Sequence, residues 1–216
     1  MLTIESLNKR IIWKNIPYKI EEERVLRELR IAKVNSLKEM PEQNIARYIK
    51  NAIEVGYSLI DAKAIYTTLK VVKKEGEFPG LESAPGFFFG KKIAELLNQC
   101  DYVTLMLTTI GPALPDKTDE MIKKEPTDSF YLEHVGGWMA DYLADRVEEK
   151  IALEAAKNGY ALTMRYSPGY GDWTLDAQPK LLALLESEKI GVRLTDSLIM
   201  IPRKSVSAAL GWTPKK

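Results

Sequence analysis

The chain has 216 residues, 45% of them hydrophobic and 28% charged, which favours one globular domain with a substantial core. Lys and Arg total 31 against 30 Asp and Glu, and this balance argues against a nucleic-acid-binding protein, for which a basic surplus is typical. No apolar run approaches the length of a membrane span and no secretory signal is evident, so we expect a cytoplasmic protein. A single cysteine, Cys100, excludes an intrachain disulfide and is expected in the core.

Hydrophobic periodicity predicts the elements of the first half of the chain. Residues 21–33 and 42–55 have helical spacing, whereas residues 64–72 alternate and are rich in β-branched side chains, as in a strand. Residues 73–86 combine glycine, proline and charge, which predicts an exposed loop. Residues 90–100 again have a helical pattern. We therefore expect residues 1–60 to be mainly helical.

The second half begins with the clearest strand, residues 102–110, which Gly111-Pro112 ends. A long helix is then predicted to start at Asp128 or Ser129 and to stop at Gly159, and an apolar residue recurs in it at every fourth position. The members of this stripe are Val135, Met139, Leu143, Val147 and Ile151.

The remaining elements are a strand at 160–165, a helix from 174 or 179 to 188, and strands at 194–201 and 205–210, with a frayed tail at 213–216. Strands and helices of uneven length follow one another without a regular βαβ rhythm. This order predicts a single α+β domain, 1–216, with a mixed or largely antiparallel sheet packed with several helices in a core at 61–211.

A loop of unusual composition separates the strand at 160–165 from the next helix. It reads Arg165-Tyr166-Ser167-Pro168-Gly169-Tyr170-Gly171-Asp172-Trp173. Its two glycines permit positive φ and a close approach of a ligand to the backbone, and Pro168 restrains Ser167. Arg165 can bind a carboxylate, while Tyr170 and Trp173 offer flat faces. A zwitterionic ligand with a flat part fits this composition, but so does a tight turn with a packed aromatic ring and a surface arginine.

Other segments follow the same order as in a known family. Residues 139–145 (MADYLAD) carry acidic residues four apart, residues 190–202 read IGVRLTDSLIMIP, and Ser205-Val206-Ser207 comes after them. Together with the pattern R-x-x-x-G-Y that starts at Arg165, they resemble the activation domain of cobalamin-dependent methionine synthase over residues 131–211. The resemblance is to a free-standing, shortened form of that domain. After Gly-Tyr the family usually continues with proline, whereas this chain continues with Gly171-Asp172-Trp173.

The resemblance implies a role for each matching residue. Arg165 would hold the carboxylate of S-adenosylmethionine, and Ser167 and Gly169 would make main-chain contacts to it. Tyr170 would lie beside the reacting methyl group as the catalytic residue, and Asp141 would contact the nucleoside end. The implied cofactor-binding set is Arg165, Ser167, Pro168, Gly169, Tyr170, Gly171 and Asp141.

The resemblance also implies the function. The protein would bind S-adenosylmethionine and support re-methylation of the inactive cobalamin of a partner, which is a cobalamin-bearing methionine synthase or a related corrinoid methyltransferase. An electron donor such as a flavodoxin-like protein would take part, and methyl transfer to reduced cobalt needs no general base. Two alternatives stay open: a corrinoid-protein docking module that does not use S-adenosylmethionine, and a stand-alone small-molecule methyltransferase.

Other candidate sites have simpler interpretations. His134 partly matches the corrinoid-ligating pattern D-x-H-x-x-G, but Leu132 stands in place of the aspartate, so a helix-start or core histidine is favoured. With one histidine and one cysteine, we expect no zinc site. The turn at Gly111 could hold an anion at a helix N-terminus, although a plain strand-to-helix turn is favoured. Apart from the resemblance, Asp141, Asp145 and Glu148 would be a solvated helix face.

Overall fold

The computed structural model describes residues 3–17, 19–20, 22–28, 34, 36–72, 79–84, 87 and 90–215. Within these residues the helices are α1 (Glu22–Glu28), α2 (Gln43–Leu59), α3 (Lys91–Leu97), α4 (Ala113–Met121), α5 (Pro126–Lys157) and α6 (Gln178–Leu185). The strands are β1 (Ile11–Lys14), β2 (Lys63–Val72), β3 (Gly80–Leu81), β4 (Tyr102–Thr109), β5 (Tyr160–Leu162), β6 (Arg193–Leu194), β7 (Met200–Ile201) and β8 (Ser205–Pro214).

The main sheet is antiparallel throughout its strand pairs. Its strands lie in the order β1-β2-β4-β8-β5, and β3 adds a short pair to β2. A second, two-stranded sheet joins β6 to β7. The prediction of an α+β domain with a largely antiparallel sheet is therefore confirmed. Within residues 1–60, which we expected to be mainly helical, β1 lies at one edge of the main sheet.

Helices cover both faces of the main sheet, and β4 contributes to both cores. Because successive side chains of a strand point to opposite faces, Met106 packs in the cluster formed with α2 and α5. Leu105 and Leu107 pack in the other cluster, with α3 and α6. All three side chains are fully buried, which explains why this strand is apolar along most of its length.

Helix α5 packs its predicted stripe against the sheet, and each of the five stripe residues is fully buried. The helix begins at Pro126, so the prediction that Asp128 or Ser129 caps it was wrong. Proline suits a first helical position because the amide hydrogen that it lacks has no partner there. The Ser129 hydroxyl instead donates to the carbonyl of Thr118 at 2.8 Å. At the other end, Gly159 has a φ of +84°, as expected of a helix stop.

A chain of buried hydroxyl groups ties the N-terminal segment to the sheet and to α5. Trp212 Nε1 donates to Thr104 at 2.8 Å, Thr104 lies 2.7 Å from Thr68, and Thr68 lies 2.6 Å from Ser6. Ser6 Oγ then donates to the Glu154 carboxylate at 2.9 Å. Each of these connected side-chain groups therefore has a hydrogen-bond partner, as burial requires.

Two predictions about the last strands were wrong. Residues 194–201 form a hairpin, β6 and β7, because Thr195 and Ile199 exchange hydrogen bonds across the turn between them. Its turn sequence, Thr-Asp-Ser, favours such local bonds. The tail at 213–214 is ordered, since Thr213 and Pro214 pair with β5. The strand predicted at 160–165 ends at Leu162.

Other predicted elements fall partly outside the described residues. Of the helix predicted at 21–33, the structure describes α1, and residues 29–33 lie outside. Of the loop predicted at 73–86, residues 79–84 are described, and they include β3 and the buried side chains of Leu81 and Ala84. Cys100 is fully buried, as predicted. In the described ranges, no helix is both long enough and apolar enough to cross a membrane.

The α5 stripe predicts a contrast between two leucines on one helix. Leu143→Ala should lower the free energy of unfolding by about 2–5 kcal/mol, because it opens a cavity at a fully buried position. Leu153→Ala removes the same atoms from a side chain that is 65% exposed and should change stability by about 0.5 kcal/mol or less. Chemical denaturation measures both, and equal losses would contradict the described packing of α5.

Candidate functional site

The loop between β5 and α6 has the backbone that its glycines predict. Gly169 and Gly171 have φ values of +92° and +58°, which residues other than glycine rarely adopt. The Gly169 amide donates to the Trp173 carbonyl at 2.7 Å, so the loop closes on itself. At its start, Tyr166 exchanges two backbone hydrogen bonds with Ala209 of β8. The loop is thereby held against the central part of the sheet.

Trp173 anchors this loop to the hydrophobic core. Its side chain is fully buried and lies near the rings of Phe87 and Tyr166, with centroids at 6.4 and 6.3 Å. The expectation that Trp173 offers a face to a ligand was therefore wrong, because its ring belongs to the core. Next to it, the Asp172 carboxylate accepts a hydrogen bond from the Lys92 amide at 3.2 Å, at the start of α3.

A cavity of about 680 Å³ opens beside the loop. The walls of this cavity are formed by α5, the loop, the start of α6, the β6–β7 hairpin and the first half of β8. We call this cavity the groove. Its lining residues are Asp141, Met164, Arg165, Tyr166, Ser167, Pro168, Tyr170, Leu175, Gln178, Leu198, Ile199, Met200, Arg203, Ser205, Val206 and Ser207.

Most of the residues expected to bind a ligand meet in the groove. Its lining includes Asp141 from α5 and four residues of the loop, Arg165, Ser167, Pro168 and Tyr170. Gly169 and Gly171 do not line it. They shape the loop instead, and a side chain at Gly171 would place its Cβ 2.5 Å from the Tyr166 hydroxyl.

Several groove residues were missed by sequence reasoning. Ser205 and Ser207 belong to the S-V-S element, and because alternate strand residues share a face, their spacing could have indicated a common wall. Ser207 Oγ donates to Gln178 Oε1 at 3.2 Å, which joins β8 to α6 inside the groove. Gln178 itself carried no sequence signal, since a glutamine near a helix start is ordinary.

Arg165 is held at the groove by two carboxylates of α5. Its Nη1 lies 2.9 Å from Asp145 and 3.1 Å from Glu148, and the arginine side chain keeps 21% of its surface exposed. Arg24 of α1 pairs with the other oxygen of Asp145 at 2.6 Å. The interpretation of Asp145 and Glu148 as a merely solvated face was therefore wrong. Both contacts use one nitrogen of a group with five N–H donors, so donors remain for a ligand.

Burial raises the pKa of two acidic residues of α5, Asp141 and Glu148. Loss of solvation raises the pKa of Asp141, and Asp145 raises it further, although Arg165 acts in the opposite direction. Asp141 still reaches solvent at the mouth of the groove. Burial likewise raises the pKa of Glu148, despite its hydrogen bond from Arg165.

Arg203 also lines the groove, and it too is paired with carboxylates. It forms a two-point ion pair with Asp119 at 2.9 and 3.0 Å and lies 3.1 Å from Glu133. Lys204 contacts the other oxygen of Glu133 at 2.7 Å. Burial opposes ionisation of Glu133, yet the hydrogen bonds from Lys204 and Arg203 lower its pKa overall.

Large apolar side chains lie exposed around the groove. The exposed fractions are 69% for Met164, 70% for Tyr170, 41% for Leu175 and 58% for Ile199. Several large exposed apolar side chains around one cavity, which we call the apolar rim, are typical of a surface that another molecule covers.

The two remaining candidate sites have local structural explanations. His134 is exposed on α5, with Nδ1 2.8 Å from the Phe130 carbonyl, so the placement at a helix start or in the core was wrong. The Gly111 amide donates to Thr109 Oγ1 at 3.1 Å, and the Asp61 amide donates to the Ile110 carbonyl. This is the plain strand-to-helix turn that was favoured.

Fold and groove together define an α+β domain in which a glycine-containing loop on the central sheet forms one wall of a surface groove. The sequence matches the profile of the family described as vitamin B12 dependent methionine synthase, activation domain, over residues 89–216. The chain therefore belongs to this family.

A solved structure shares the fold across the whole chain. It is described as the MetH reactivation domain bound to AdoHcy, that is, S-adenosylhomocysteine. The match covers 100% of this chain and 81% of the other, with a TM-score of 0.61 and 12% identity. At that identity the match establishes the fold. No curated protein matches the chain.

Gly90 offers a test of how the loop is anchored. A Cβ at this residue would lie 2.6 Å from the backbone nitrogen of Trp173, so Gly90→Ala must displace the loop and should lower the melting temperature by several degrees. Gly80→Ala is the control, since its Cβ would meet nothing within 4 Å. Thermal unfolding of both variants measures the contrast, and a Gly90→Ala protein as stable as the control would refute the close contact.

The raised pKa of Asp141 predicts that the Asp141→Asn variant is more stable than the unmodified protein, to an extent that depends on pH. Because its pKa is raised in the folded state, the folded protein binds this proton more tightly, and stability falls as pH rises through the raised pKa. Asp141→Asn should therefore raise the melting temperature at neutral pH. This gain should vanish below the ordinary aspartate pKa, where both proteins are neutral at this position. Melting curves between pH 3.5 and 8 measure the difference, and a variant less stable at neutral pH would disprove it.

Proposed function

We propose that residues 1–216 act as one activation domain, which binds S-adenosylmethionine in the groove and presents it to the cobalamin of a partner protein. The partner would be a cobalamin-bearing methionine synthase or a related corrinoid methyltransferase, served by an electron donor such as a flavodoxin-like protein. One observation carries the proposal: in a chain of this family, the loop at 165–173 lines a cavity large enough for such a ligand.

The groove carries groups that suit each part of S-adenosylmethionine. Arg165 has N–H donors available for the carboxylate, and Asp141 can accept hydrogen bonds from ribose hydroxyls or attract a cation. Ser167 and Pro168 of the loop also line the groove. Buried Gln178 and Ser207, joined by a hydrogen bond, supply further polar atoms in the lining.

The rim of the groove suits the presentation of a methyl group outward. When bound, S-adenosylmethionine would supply an electrophilic methyl group, and the partner's cobalamin the cobalt that accepts it. Tyr170 would lie beside that methyl, since its ring is both part of the lining and largely exposed. The apolar rim would dock on the partner and exclude water from the reacting centre. No side chain is needed to move a proton, so the role of the protein is positioning.

Arg165→Ala tests the carboxylate contact. A hydrogen bond to a charged group contributes about 1.5–3 kcal/mol, so the variant should bind S-adenosylmethionine at least about tenfold more weakly by calorimetry. Arg24→Ala is the matched control, because Arg24 pairs with the same Asp145 but does not line the groove. That variant should bind within about twofold of the unmodified protein.

The outcomes separate the alternatives. A folded Arg165→Ala protein with unchanged affinity would remove Arg165 from the site. If the unmodified protein gives no heat with S-adenosylmethionine, the proposed function fails and a docking module that covers a corrinoid is favoured. If it binds the ligand and methylates a small acceptor without any corrinoid protein, the stand-alone methyltransferase is favoured.

A further inference from the structure

Among the residues that the structure describes, three charged side chains line the groove, and the two cations are each paired with carboxylates. Arg165 is paired with Asp145 and Glu148, both on the flank of α5 outside the lining. Counter-ions so close cancel most of the field that an arginine would project into a cavity.

The second cation of the lining is balanced in the same way. Arg203 is paired with Asp119 and Glu133, which lie beyond the groove wall on α4 and α5. Lys204 pairs with Glu133 as well. Neither arginine therefore gives the groove a net positive charge.

Asp141 is different, because it forms no ion pair among the described residues. It lies in the lining, and the charged groups that act on it are Arg165, Asp145, Arg24 and Glu28. Two of these are acids, and although both arginines attract the Asp141 carboxylate, each is paired with Asp145 and neither forms an ion pair with Asp141. In the described part of the chain, the carboxylates of the groove and its ion pairs outnumber the cations. The carboxylates belong to Asp119, Glu133, Asp141, Asp145 and Glu148, and the cations to Arg24, Arg165, Arg203 and Lys204.

We propose that Asp141 is a specificity-determining residue, which makes the groove prefer a cationic sulfonium ligand to the neutral thioether that remains after methyl transfer. This inference rests on the proposed function. S-adenosylmethionine carries a carboxylate, an ammonium and a sulfonium, so its net charge is one positive unit. S-adenosylhomocysteine lacks the sulfonium and is neutral overall. When the methyl group leaves, the sulfur keeps the electron pair of the broken bond, and the positive charge leaves the groove with the transferred methyl.

The preference has a consequence for turnover. An ionised carboxylate in the lining attracts the sulfonium of the substrate, and this attraction is lost once the product forms. Product dissociation is thereby favoured without any movement of the protein. Contact with the methyl group by which the two ligands differ also discriminates between them. Such a contact depends neither on the salt concentration nor on the Asp141 carboxylate, so the measurement separates it from the effect of charge.

Calorimetry with both ligands at pH 8 and low salt tests the proposal. The unmodified protein should bind S-adenosylmethionine about three- to thirtyfold more tightly than S-adenosylhomocysteine, the range expected for two unit charges several ångströms apart at a protein surface. Asp141→Asn should bring the ratio close to one, mainly by weakening the binding of S-adenosylmethionine. Raising the salt concentration should also reduce the ratio.

Glu149→Gln is the matched control, because Glu149 lies on the same helix, does not line the groove and is paired with Arg146. It should keep the ratio of the unmodified protein. A ratio near one in the unmodified protein overturns the inference while leaving the proposed function standing. Equal weakening of both ligands by Asp141→Asn also overturns it, since that pattern reports a contact to a shared part of the ligands. If neither ligand binds, the proposed function itself fails.

Discussion

The loop that forms one wall of the groove depends on the burial of a single indole. Trp173 lies fully inside the core between Phe87 and Tyr166, and the backbone beside it is in contact with Gly90. A buried tryptophan contributes more apolar area than any other side chain, so the loop cannot lift from the sheet without exposing it. The positive φ angles of Gly169 and Gly171 follow from this constraint, because the chain must turn sharply between the sheet and the buried ring.

Helix α5 serves two purposes at once. One face carries the stripe that fills the core under the sheet, and the adjoining flank carries the acids that face Arg165 and the groove. Because a helix is rigid and its stripe is locked by packing, the acids are held at fixed positions without further support. The Arg165 guanidinium is thereby oriented before any ligand arrives, which lowers the entropic cost of binding.

Much of this fold could be predicted from the sequence, and the failures have local causes. The α5 stripe and β4 were evident because burial imposes a clear period on both. The hairpin at β6 and β7 was missed because each of its strands has only two residues, so the polar turn Thr-Asp-Ser lies within the single strand predicted there. The positive φ of Leu198, +63°, which completes the turn, leaves no trace in the sequence. The start of α5 was misplaced because Ser129 bonds to α4 through a tertiary contact that no local pattern reveals.

Some residues of the candidate site could likewise be predicted from the sequence, and others could not. The loop at 165–173 stands out by composition, and the resemblance to a family gave its residues roles. The contribution of Gln178 could not be foreseen, since a glutamine near a helix start is ordinary. Arg203 reaches the groove only through the placement of β7 and β8, which no local pattern reveals. Trp173 was misjudged because an aromatic ring in a glycine-rich loop fits a ligand and a core equally well. Burial, which decides between them, is a property of the whole fold.

The position of β8 between β4 and β5 bears on how the protein is made. Residues 205–214 are synthesised after every other strand of the sheet, yet they fill its interior. Until they emerge from the ribosome, β4 has an unpaired apolar edge and the groove lacks one of its walls. An edge of this kind can pair with another chain, and the groove can form only once β8 is in place.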